Sequence, residues 1–402
     1  MTTHSTRRHR ARLVTMTSLV ATAALALAAC GGDSGGSGGS DDIVVGAMVA
    51  MTGPNSSEGQ TNINGQLARF NQVNEEGGID GHEIVLEIGD DQLDPAKAPG
   101  VARQLVESDE VLAILGAGSA DSYAVLPYLA QKKVLAIPGG GATSLITESP
   151  TSYRQVIPGY DLLAAASVRY AVEELGAERV AIAYTPDAVG EPTRDGAEAM
   201  LAQYDLEPVA EVEFSATATN ASSQAAKLKA ADADFVVLIH TPAVSTVMIK
   251  AAEQIGFKPT WLSAFPLAQT AVPEIMGNVL DGRIFFSTHK PMPDSEDAAD
   301  FKKYCDQIDG CDYTNGTTMT GYLAADAFVE AVTAAVEAND GEVPSPEQVL
   351  AATDGLSIDT PVNKGITWTS DQFTGATQAQ MMGLKNGVYS SVEDFQPLPD
   401  LG

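Results

Sequence analysis

Residues 111–147 read VLAILGAGSADSYAVLPYLAQKKVLAIPGGGATSLIT. Two short apolar runs, 111–115 and 134–137, are bounded by Gly or Pro, the pattern of strands buried on both faces of a parallel sheet. Residues 121–131 between them predict a crossover helix. Each strand then ends in a loop of small residues, Gly116-Ala117-Gly118-Ser119 and Gly139-Gly140-Gly141-Ala142-Thr143-Ser144. Both loops fall at the carboxyl edge of the sheet, where open α/β sheets bind ligands. Glycines let a ligand approach the backbone, and N–H groups at a helix start with the Ser119 and Thr143 hydroxyls offer donors to an anionic group.

Working outward, the same alternation extends in both directions. Strands are expected at 43–48 and 82–88 and helices at 61–76 and 94–108, giving β-α-β-α-β-α-β and hence right-handed crossovers and a doubly wound parallel sheet. The pattern restarts after Tyr160, with strands at 180–184, 209–214, 235–239 and 260–262 separated by helices at 191–204, 222–230 and 243–255. A third segment holds a strand at 283–286, helices at 298–304 and 320–337, and a β-rich run over 365–391. Its length suits completion of two sheets. The expected fold class is therefore α/β, two Rossmann-like lobes. The first comprises residues 41–160 plus 287–364, and the second 161–286 plus 365–402.

Residues 1–29 have the form of a secretory leader, with Arg7, Arg8, Arg10 and Arg12 ahead of an apolar stretch and small residues before Cys30. Leu27-Ala28-Ala29-Cys30 is similar to the bacterial lipoprotein box, which implies cleavage before Cys30 and lipidation of that cysteine. Residues 31–40, GGDSGGSGGS, form a flexible tether with nothing to bury. An exported body anchored to the outer face of the cell membrane follows from this order.

The chain carries 53 acidic against 23 basic residues, a formal net charge of −30. Loss of the four leader arginines leaves 19 bases against the same 53 acids, or −34. Such a surface repels nucleic acid and anionic headgroups. Glycine loops of nucleotide enzymes read G-x-G-x-x-G after the first strand, and Gly116 to Asp121 lacks the last glycine and follows the third. No G-x-S-x-G stands at a strand-helix turn, as a hydrolase would require, and the five His and the Cys show no paired zinc spacing. Neither a catalytic residue nor a metal or other cofactor is expected. Cys305 and Cys311 are the remaining cysteines, and an oxidising exterior favours a disulfide between them.

Several spaced features together carry a family resemblance. They are Thr52-Gly53-Pro54 with Gly59 and Gly65, Asn74 through Gly81, Asp90-Asp91 with Asp94-Pro95, and Gly116 with Ser119 and Pro127. Over about residues 43–388 the chain resembles type I periplasmic-binding proteins, specifically the leucine/isoleucine/valine-binding branch that feeds ABC importers. The resemblance implies two lobes joined by three hinge crossings that close over one solute without chemistry. It also implies a monomer that meets ABC permease and ATPase subunits in the membrane. A ligand carboxylate would be held by Ser119 and by Gly141, Ala142 and Thr143.

The other half of the expected site departs from the family pattern. Val189-Gly190 and His240-Thr241-Pro242 stand where amino-acid binders place aromatics, and Phe265 stands near where those binders place the acid that meets an α-ammonium group. Glu58 and Asp187 are the acids able to replace it. The sequence thus leaves open an aliphatic α-amino acid and a small organic acid or amide, packed on Phe265 and bonded by His240 or Thr241. It equally leaves open a sensor whose closed form reports to a membrane receptor.

Overall fold

The computed structural model describes residues 42–53, 56–116, 120–139, 151–267, 276–369 and 373–402. The expected leader, Cys30 and tether lie outside the described residues. Strands β1 (Ile43–Val49), β2 (Ile84–Asp90), β3 (Ala113–Gly116) and β4 (Leu135–Ile137) form a parallel sheet in the order β2-β1-β3-β4. Helices α1 (Ser56–Glu75), α2 (Ala98–Glu107) and α3 (Ala120–Lys132) make its crossovers. β1 and β3 are almost wholly buried, which explains their unbroken apolar runs.

One face of this sheet packs under α1 and the long helix α9 (Gly316–Ala338), with Phe70, Leu115 and Phe328 in the core. The other packs under α2 and α3 through Leu105, Ile114 and Leu129. α9 is, among the described residues, the one helix long and apolar enough to cross a membrane, yet most of it is buried in this core. α1 and α9 approach closely because neither contact position has a side chain. A Cβ on Gly65 would stand 1.9 Å from the Thr318 carbonyl oxygen, and one on Gly321 would stand 2.0 Å from that of Asn62. Arg69 Nε meets Asp326 Oδ1 at 2.8 Å across the same contact, and Asp326 Oδ2 accepts from Thr360 Oγ1 and Asn363 Nδ2.

The second sheet uses β5 (Val180–Tyr184), β6 (Ala210–Glu213), β7 (Phe235–Val237), β8 (Thr260–Ala264) and β9 (Ile284–Thr288), all parallel. Helices α4 (Tyr160–Leu175), α5 (Gly190–Gln203), α6 (Ser222–Ala230) and α7 (Pro242–Gln254) cover it. The β-rich run expected over 365–391 resolves into the two-residue pairing of β10 (Ser357–Ile358) with β11 (Ile366–Thr367) and a hairpin of β12 (Gln378–Lys385) and β13 (Val388–Pro397). The hairpin adds antiparallel to β9, giving the order β13-β12-β9-β8-β7-β5-β6. Its turn is Asn386-Gly387, both at positive φ, as a tight hairpin requires.

Three connections join the lobes. Residues 152–157 pair with β4 on one side and with 373–376 on the other: Arg154 N donates to Ala136 O, Gln155 N to Phe373 O and Ala376 N to Val156 O. Ile366, Trp368 and Ala376 pack in the first lobe's core, and the Trp368 indole donates to Gln155 O at 2.9 Å. The last connection therefore completes its passage at Ala376, beyond the expected 365, because this indole and its carbonyl partner hold it back. The middle connection leaves β9 at His289 and Lys290.

Helices α8 (Ala299–Cys305) and α10 (Pro346–Ala352) complete the first lobe. Cys305 and Cys311 form a disulfide with Cα atoms 5.4 Å apart. Cys305 is fully buried in the main core, so the bridge ties the segment leading to α9 to that core.

Candidate functional site

In the second sheet the chain runs from β5 outward to β6 and then returns to the other side of β5 as β7, so the topological switch lies between β5 and β7. The loops leaving these two strands carry Asp187 with Val189, and His240 with Thr241. They meet there. His240 Nε2 lies 3.3 Å from Asp187 Oδ2, and His240 Nδ1 accepts from Thr241 N at 2.8 Å. Because Nδ1 accepts from a backbone N–H, the ring proton belongs on Nε2 and is donated to Asp187.

Asp187 Oδ1 also accepts from Thr185 Oγ1 and from the backbone N–H of Val189 and Gly190, at 2.9 to 3.0 Å. Burial works to raise its pKa, but the hydrogen bonds from His240, Gly190, Val189 and Thr185 outweigh burial and hold the carboxyl well below the usual range. Its side chain stays 35% exposed. Both His240 nitrogens are engaged, so this pair orients the loop and has no ring nitrogen free to activate a nucleophile. Val189 is half-buried, packed on the second lobe's core, and Thr241 is exposed at the start of α7.

Phe265 follows β8 in a 3-10 turn, Phe265–Leu267, and is the hub of a second cluster. Its ring stacks on Tyr160 with centroids 6.2 Å apart and meets the His289 ring edge-on at 5.2 Å. Lys290 Nζ lies 4.5 Å from its centroid. Lys290 is only 7% exposed, and Nζ donates to Gly316 O at 2.8 Å and to Thr320 Oγ1 at 2.7 Å. Burial alone pushes its pKa down to about 7. His289 is 2% exposed, and neither ring nitrogen has a hydrogen-bond partner among the described residues. Burial, with Lys290 adding to it, holds the imidazole pKa far below its ordinary value.

Sequence reasoning singled out Phe265 and missed both His289 and Lys290. The available signal was the pair His289-Lys290, its cation four residues beyond the apolar run Ile284-Phe285-Phe286 and directly ahead of Pro291. A charge there sits at the end of a buried strand. Phe265 and Lys290 line a chamber with Met292, Met319 and Met382.

At the first lobe's edge, Asp90 fixes the loop after β1, accepting from Met51 N at 2.9 Å and Thr52 Oγ1 at 2.6 Å. Burial works to raise its pKa, but the bonds from Thr52, Met51 and Gln92 together bring it below the ordinary value. Asp91 is fully buried, accepts from Leu93 N through Oδ1, and its Oδ2 has no partner among the described residues. Glu58 is exposed in the first turn of α1, where a negative charge suits the helix dipole. Ser119, Gly141, Ala142 and Thr143 lie outside the described residues. The structure thus brings Asp187, Val189, His240 and Thr241 together, sets Phe265 in its own cluster, and leaves Glu58 in solvent. No group of three His, Cys, Asp or Glu suited to a metal ion occurs among the described residues.

A family model described as periplasmic binding protein matches residues 42–388. Leu/Ile/Val-binding protein homolog 8 of Brucella abortus (strain 2308) is 24% identical over 370 residues, spanning 86% of this chain and 84% of that protein. Among solved structures, the branched chain amino acid ABC transporter from Thermus thermophilus with bound valine superimposes with a TM-score of 0.78 at 19% identity, covering 90% of this chain and 97% of that one. The fatty acid ABC transporter substrate-binding protein from Thermomonospora curvata gives 0.75 at 20% identity, covering 90% and 93%. At these identities the two structures share the fold.

Proposed function

Since the chain belongs to the periplasmic binding protein family, we propose that it is an exported lipoprotein, anchored through Cys30. In this reading it captures a small solute between its lobes and presents it to ABC permease and ATPase subunits. The first lobe is 41–160 with 287–364, extended by Ile366, Trp368 and Ala376, and the second is 161–286 with the remainder of 365–402. The observation that carries the reading is the convergence of the Asp187 and His240 loops at the switch point of one sheet, in a chain whose other sheet has its own switch between β1 and β3. A solute touching both edges has differential affinity for the closed arrangement, which is what shifts a two-state population.

Branched-chain amino acids are the default solute, from the names of the similar Leu/Ile/Val-binding proteins. Ser119, Gly141, Ala142 and Thr143 would then hold the carboxylate and Asp187 Oδ2 the ammonium. A second reading, an organic acid without an ammonium group, is favoured by the buried cation Lys290 beside Phe265. A thermal-shift screen of lipid-free protein against amino acids, amides and carboxylic acids tests the proposal, since a bound solute stabilises by mass action, about 2.7 kcal/mol at a hundredfold excess over Kd. Saturable stabilisation by one chemical class supports it. A panel that leaves the melting temperature unmoved throughout overturns it.

A further inference from the structure

The middle connection between the lobes is fastened to both of them at one residue, Lys290. Its main chain belongs with the second lobe. Lys290 N donates to Thr288 Oγ1 at 3.0 Å, and Lys290 O accepts from Gln380 Nε2 of β12 at 2.8 Å. Its side chain reaches the first lobe, where Nζ donates to Gly316 O at 2.8 Å and to Thr320 Oγ1 at 2.7 Å at the start of α9. The Phe265 ring of the second lobe faces the same ammonium at 4.5 Å. A lysine ammonium has three protons to donate, and two acceptors and an aromatic face surround this one.

Lys290, Thr288, Thr320 and Gln380 are all buried. Breaking one of these bonds would leave a desolvated donor or acceptor behind, so the fastening resists rearrangement. The chain beyond it is stiff as well. Pro291 and Pro293 each fix their own φ and confine the residue before them, Lys290 and Met292, to extended conformations. The outer two connections are built differently. Residues 152–157 and 373–376 hydrogen-bond to each other through the main chain, whereas the middle one is tied to both lobes through side chains.

We infer that Lys290 is the positioning residue of the hinge: by joining the start of α9 to the paired ends of β9 and β12, it restricts the angle between the lobes in the solute-free protein. The inference deepens the closure proposed above and rests on that two-lobed reading. Lys290 acts on solute binding through the lobe angle. A hinge restricted beforehand loses less conformational freedom when the lobes close, which leaves more of the contact energy for holding the solute.

The test is the distance distribution between two spin labels, one per lobe, in the lipid-free Cys30→Ser protein without solute and with its disulfide intact. Glu87→Cys in β2 and Lys227→Cys in α6 are exposed sites for the labels. Lys290→Met keeps the apolar stem and removes the three donors, and by pulsed electron paramagnetic resonance it should broaden the distribution. Thr320→Val removes an acceptor at the first-lobe end of the fastening, and Gln380→Leu removes the donor at the second-lobe end. Each should broaden the distribution in part, and adding Thr320→Val to Lys290→Met should broaden it no further, because both release one bond. A purely structural role would lower the melting temperature and leave the distribution as narrow as before. An unchanged distribution in Lys290→Met would overturn the inference, as would unchanged distributions in both Thr320→Val and Gln380→Leu should Lys290→Met fail to fold. Since no solute is present, that result leaves the solute-binding reading standing, and a solute screen without any response leaves a broadened distribution standing.

Discussion

Lys290 makes the strongest residue-scale prediction. Its pKa is about 7 in the fold against about 10.4 in an unfolded chain. Between those values the unfolded state binds more protons, so the Lys290 contribution to stability rises with pH from about 7 to about 10 and is at its worst below 7. Urea unfolding of wild type and Lys290→Met should therefore show a difference that moves toward the wild type by about 1.4 kcal/mol per pH unit over this window. A flat difference would place a counter-charge on Lys290. Asp187 has the opposite sign: its depressed carboxyl contributes stability above about pH 4 that is lost as the pH falls through the folded value. Asp187→Ala should cost about 1–2 kcal/mol at neutral pH, as a lost helix-start acceptor, and nothing measurable at the acid end. Asp187 and His240 were legible in sequence because they follow strands in loop positions that face a sheet edge. Lys290 was not, because only tertiary burial turns an ordinary lysine into an unpaired interior charge.

At the scale of elements, the contact between α1 and α9 is fixed by glycine and by one ion pair. Arg69 and Asp326 are 13% and 4% exposed, and the carboxylate's second oxygen is satisfied by Thr360 and Asn363. Asp326→Ala leaves a buried guanidinium alone and should cost about 3–5 kcal/mol in chemical denaturation. A loss under about 1 kcal/mol would mean that Arg69 reaches water instead. Strands and helices of both lobes were readable from apolar runs punctuated by Gly and Pro, since each parallel strand is buried on two faces. Helix α10 was passed over although Ser345-Pro346-Glu347-Gln348 spells a capping box, which the structure forms through Ser345 and Gln348. The length of the last connection was illegible for a different reason. It depends on the Trp368 indole finding the Gln155 carbonyl, a pairing 213 residues apart.

For the molecule as a whole, the proposed closure would turn on the three connections between the lobes. Residues 152–157 and 373–376 hydrogen-bond side by side, while the middle connection carries Lys290 against Gly316 and Thr320. The Cys305–Cys311 bridge holds the segment that ends in Gly316, and by the chain-entropy account so short a loop is worth about 2 kcal/mol. Reduction should accordingly lower the melting temperature modestly while leaving both lobes folded. The claim on which everything else depends is that a solute draws the lobes together. Small-angle scattering of the lipid-free protein, with and without a solute that saturates it by calorimetry, measures this directly. A smaller radius of gyration with solute is the predicted result, and an unchanged one at proven saturation would contradict the account.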